Sequence, residues 1–215
     1  MLQLGEFSFG QPSRITATTR LGSGKIVDIE REIELGGAIH SKGVLILSSF
    51  IATRYARKSL FSVAASLVFE QSYGHVEGDS ASLAQTPPRQ DLAITGSINQ
   101  LGQVQPIGGV NEKIEEFFDI CAKKSLTGTQ GVIIPAINIK HLMLRWDVVH
   151  AAQAGQLSIH AVAAVDDALE LLTGLDAGIA GEQGVYPPES FNGRVEAQLL
   201  QFMSIRKNFN AKSRN

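Results

Sequence analysis

The hydrophobic positions change period several times along the chain. Residues 14–19 and 25–31 alternate or are β-branched, and Gly22-Ser23-Gly24 between them predicts a two-stranded hairpin. From Gly43 the apolar residues Val44, Leu47, Ile51 and Tyr55 recur every three or four positions, which predicts a helix with one buried face. Residues 62–69 read as a buried strand. Short strands follow over 91–98 and 103–107, separated at Leu101-Gly102. Gly108-Gly109 then introduces an amphipathic helix over 111–124 with the stripe Ile114, Phe117, Phe118 and Cys121. Beyond it the pattern gives an apolar strand over 131–135, a helix over 138–154, a strand over 157–163 and a helix over 166–173 closed by Gly174. A Gly- and Pro-rich connection over 176–193 precedes a last helix over 193–203, and the polar tail from Lys207 reads as frayed. Strands alternating with helices through the second half argue for an α/β fold. The chain shows no internal repeat and no low-complexity tract.

Composition narrows the classes. A chain of 215 residues can form one large domain or two small ones without disulfides or metals. Its 44% hydrophobic and 19% charged content is that of a soluble globular protein and excludes disordered and collagen-like chains. Twenty-one acids against nineteen bases give a net charge of −2, so no strong field draws it to nucleic acid or anionic lipid. The single cysteine, Cys121, cannot close an internal disulfide and suits a reducing cytoplasm. The early charges Glu6, Arg14 and Arg20 and the shortness of the apolar runs argue against a signal peptide and a membrane anchor. The five histidines show no His-x-x-x-His or His-x-x-Glu spacing, so no metal site is expected from them.

Three segments could carry chemistry. Gly22-Ser23-Gly24-Lys25 looks like a phosphate loop, but Thr19 stands where its first glycine belongs and Ile26 where magnesium needs a hydroxyl. It reads as a turn. Glu77-Gly78-Asp79-Ser80-Ala81-Ser82 places a serine between a strand and a helix-compatible stretch, where backbone N–H groups can stabilise an oxyanion. The same residue types also turn a chain and cap a helix. Pro106-Ile107-Gly108-Gly109-Val110-Asn111-Glu112-Lys113 puts a lysine in the first turn of a helix, where the macrodipole and apolar neighbours lower an amine's pKa. Such an amine can act as a base toward serine, or can be a solvated lysine paired with Glu112 or Glu116.

Taken in order, Glu77–Ser82, the run from Asp91 to Ser97 and Gly102–Lys113 resemble the proteolytic domain of Lon proteases, in the acid-Gly-Asp-Ser form of the LonB-type branch. The likeness extends upstream through Ile39-His40-Ser41-Lys42-Gly43 and downstream through 132–135 to Gly174, covering most of the chain. It implies a mixed α/β domain of several short sheets and packed helices over 1–205, truncated at its N-terminal edge, with 206–215 as a polar tail. It also implies a serine endopeptidase working through an acyl-enzyme, with Ser80 as nucleophile and Lys113 as general base. Thr95 would support the lysine, Asp79 would orient the nucleophile, and Glu77 would belong to the same loop.

The resemblance further implies an ATP-dependent enzyme of the cytoplasm, with ATP and magnesium on a separate ATPase module and no cofactor in this chain. The implied partners are unfolded or damaged proteins and further copies in a hexameric ring, with no nucleic-acid site. One departure stands out. Between Ser82 and Asp91 the chain is shorter than the family pattern by roughly ten residues, equal to about 15 Å of helix. Either residues of the family pattern are missing from this segment or the site is rebuilt, and the second case leaves a catalytically inert assembly or substrate-handling domain as the alternative. An α/β-hydrolase using Ser80, His160 and Asp147 or Asp166 is a weaker one.

Overall fold

The computed structural model describes residues 2–4, 7–9, 14–22, 26–32, 34–56, 63–70 and 89–212. Two short strands, β1 (Leu2–Leu4) and β2 (Phe7–Phe9), pair antiparallel at the start. A three-stranded sheet follows, built from β3 (Arg14–Leu21), β4 (Ile26–Asp28) and β5 (Val63–Glu70). Its order is β3-β5-β4, with β5 antiparallel to β3 and parallel to β4. The hairpin expected between 14–19 and 25–31 therefore does not form: the apolar β5 inserts between the two segments and takes the backbone partners each needed. Between β4 and β5 run α1 (Ile29–Glu32) and the long α2 (Ala38–Tyr55). Helix α2 buries His40, Val44, Leu47 and Phe50 along one face.

The second half is the alternating unit anticipated from the sequence. Its strands are β6 (Leu92–Ile94), β9 (Gly131–Pro135) and β10 (Ser158–Val162), in the order β10-β9-β6 and all parallel. Between β6 and β9 lie the small antiparallel pair β7 (Ser97–Ile98) and β8 (Val104–Gln105), then α3 (Val110–Lys123). A 3-10 turn over Ala136–His141 and α4 (Trp146–Gln153) join β9 to β10, and α5 (Val165–Thr173) follows β10.

Strand β9 is the spine of the domain, buried at all five positions. Because successive side chains of a strand point to opposite faces, it divides the core in two. Ile133 packs with Val44, Leu47 and Phe50 of α2 and Val165, Ala168 and Leu172 of α5. Val132 and Ile134 pack instead with Val110, Ile114 and Phe118 of α3 and Val148 and Ala151 of α4. A parallel strand covered on both sides needs an unbroken apolar run, and Val132-Ile133-Ile134 supplies it.

Two helices differ from the sequence expectation. The helix read over 138–154 is a 3-10 turn and a separate α4, with Leu142 and Arg145 extended at ψ 121° and 149°. Side chains of α3 capture the backbone there. The Asn111 amide accepts from Met143 N at 2.8 Å and donates to His141 O at 3.1 Å, and Glu115 accepts from Arg145 N at 2.7 Å. The last helix, α6 (Phe191–Lys212), runs on through residues read as a frayed tail, and Arg206 donates to the Gly22 carbonyl at 3.0 Å. No helix among the described residues is long and apolar enough to cross a membrane.

Candidate active site

The site is built where β6 ends and α3 begins. Thr95 follows β6 directly and its N–H donates to Ile133 O at 3.0 Å, so the ladder to β9 carries on through it. Its side chain is only 8% exposed. Helix α3 starts at Gly109, whose φ of 66° and ψ of 31° lie in the left-handed region that glycine enters without a Cβ clash. Lys113 sits one turn in, and its N–H bonds back to Gly109 O at 3.1 Å. From there Lys113 Nζ donates to Thr95 Oγ1 at 3.2 Å.

A buried asparagine fixes the approach to α3. Asn138, 3% exposed, accepts from Ile107 N at 3.1 Å and donates to Ile107 O at 2.9 Å. Both hydrogen bonds pin the Pro106–Gly109 loop to the turn after β9, which sets the origin of α3 and the reach of Lys113. This residue was not anticipated from the sequence. Its signal was a polar side chain three residues beyond the apolar run 131–135.

The structure brings Lys113 and Thr95 together. Ser80, Asp79, Glu77 and the shortened segment after Ser82 lie outside the described residues. Of the acids proposed to pair with Lys113, Glu116 has an Oε2 that is buried with no hydrogen-bond partner, and burial raises its pKa above the usual carboxylate range. The groups of the hydrolase alternative are engaged elsewhere. His160 pairs with Ser158 Oγ at 2.9 Å, Asp166 binds Arg54 at 2.7 Å, and Asp147 binds Arg145 at 2.9 Å. Burial pushes the Cys121 thiol up, away from the reactive thiolate form.

Beyond this site the fold gathers three buried titratable groups that histidine spacing did not point to: Asp28, Glu30 and His40. They come from β4, α1 and the first turn of α2.

Residues 79–174 match the Lon protease (S16) C-terminal proteolytic domain. That segment holds Thr95, Lys113 and the whole β6-β9-β10 sheet. Residues 79–174 belong to the Lon proteolytic-domain family. Relatives extend the likeness further along the chain. A protein of Escherichia coli (strain K12) named as a Lon protease homolog is 48% identical over 178 residues, which is 78% of this chain and 30% of its own length. One of the same name from Haemophilus influenzae is 47% identical over 178 residues, with the same coverage of each. An archaeal Lon protease of Pyrococcus abyssi is 34% identical over 145 residues, 63% of this chain and 13% of its own. The chain thus spans under a third of the length of the curated relatives it matches.

Proposed function

We propose that this chain is the peptide-hydrolysing part of a Lon-like serine protease, with Ser80 as nucleophile and Lys113 as general base. The observation that carries the reading is the Lys113–Thr95 hydrogen bond within the family-matched segment. An amine that gives one N–H to a buried, backbone-anchored hydroxyl has its rotation restricted, and its lone pair can then face a serine.

In the reaction the Ser80 hydroxyl attacks the peptide carbonyl carbon while Lys113 takes its proton. The tetrahedral intermediate expels the amine, which receives that proton, and leaves an acyl ester on Ser80. Water, deprotonated by the same lysine, then breaks the ester and restores the serine. Asp79 and Glu77 would shape the nucleophile loop. A cytoplasmic setting, a hexameric ring, substrates that are unfolded proteins and ATP-driven delivery by a separate module complete the proposal, and each is drawn from the family alone.

The test is labelling of the chain with a fluorophosphonate probe. Labelling of the wild type that is abolished by Ser80→Ala supports the reading. A folded chain that takes no label overturns it in favour of an inert assembly domain, the role suggested by the short segment after Ser82.

A further inference from the structure

We propose that Asp28, Glu30 and His40 hold one divalent zinc-class cation that ties the first sheet to helix α2. The three side chains are buried to within 3%, 2% and 4% of full enclosure. One donor atom from each lies within 4.8 Å of the others. An ion bonded at about 2.1 Å to each donor is reached when every donor moves by less than about 1 Å.

Three observations favour a cation over a self-sufficient polar cluster. The first is unmet bonding. Asp28 Oδ1 and Oδ2, Glu30 Oε2 and His40 Nε2 are all buried, and none has a hydrogen-bond partner among the described residues. His40 Nε2 comes within 3.1 Å of Asp28 Oδ2, yet the contact is not aligned as a hydrogen bond. Orphaned buried oxygens are costly, and two carboxylates sharing a dry site are costlier.

The second observation is charge. Two carboxylates and an imidazole present two negative charges to a bound ion, which one divalent cation cancels. The third is orientation. Glu30 Oε1 accepts from Phe69 N at 2.7 Å, which fixes the carboxylate and turns Oε2 toward the cluster. The Phe69 ring also packs edge-on against the His40 ring at 5.5 Å. Ligands held from outside in this way are the usual second layer of a metal centre. The imidazole selects a transition cation over magnesium or calcium, and the burial of all three residues keeps substrate away from the ion, so its role is structural.

The experiment takes the full chain, strips it with EDTA, and measures bound metal and melting temperature as ZnCl2 is returned. The expected result is about one zinc per chain and a higher melting temperature, with magnesium and calcium giving no shift. Glu30→Gln and His40→Gln should each weaken zinc binding by roughly tenfold or more. Should both variants fail to fold, the wild-type titration still decides. A folded, stripped chain that takes up no zinc overturns the proposal, as does stoichiometric zinc retained undiminished by both variants. Neither readout involves peptide hydrolysis, so the result is independent of the Ser80–Lys113 reading.

Discussion

Lys113 Nζ donates to Thr95 Oγ1 across 3.2 Å, joining the first turn of α3 to the end of β6. Thr95 is anchored through its own N–H to Ile133, so the lysine's partner is fixed by the central strand rather than by a loop.

Thr95→Val keeps the shape and removes the acceptor. Peptidase turnover should fall about tenfold or more through misplacement of the amine, with a loss of about 1 kcal/mol in stability. Thr95→Ser should restore much of the rate. Lys113→Met should abolish turnover while leaving the fold intact. Steady-state kinetics on a fluorogenic peptide checks all three, and a Lys113→Met chain with near-normal turnover would sink the general-base assignment.

Asn138→Leu takes the side-chain partner from both the N–H and the C=O of half-buried Ile107. The expected cost is about 1–3 kcal/mol in denaturant unfolding. Because the same bonds set the start of α3, kcat should drop more than KM rises.

Ile133→Ala opens a cavity where β9 meets α2 and α5. Full burial of this side chain puts the cost at about 2–5 kcal/mol. Differential scanning calorimetry measures it. A loss below about 1 kcal/mol would mean that the site collapses around the gap.

Acid should act partly through Asp91. The Arg89 guanidinium, bonded to both of its oxygens at 3.0 and 2.6 Å, holds this carboxyl below the usual carboxylate range. A depressed folded-state pKa means that the stabilisation is present above the unfolded value, near pH ~4, and is lost as pH falls through the folded value. Asp91→Asn should therefore lessen the loss of stability on acidification below about pH 4, while changing little between pH ~6 and ~8. Urea unfolding across this pH range reads the difference.

Much of the second half was legible because its signals are local. The run 131–135 is apolar between Gly131 and Pro135, and Gly174, at φ 70°, ends α5 where expected. What local pattern could not show was competition from distant groups. Residues 14–19 and 25–31 were read as partners because nothing near them announces that β5, some forty residues on, takes the place between them. The break after His141 depends on Asn111 and Glu115 reaching across from another helix. Lys113 and Thr95 were singled out through ordered family motifs rather than by local pattern. The Asp28, Glu30 and His40 group escaped because its members come from three elements at no customary ligand spacing.

The reach of Arg206 to the carbonyl of Gly22 has a practical side. Expression of a fragment ending at residue 205, where composition alone would trim it, severs a clasp between the last helix and the first sheet. Such a fragment should be easier to proteolyse near residue 22 than the full chain, and the safer cut for any shortened version lies beyond Lys212.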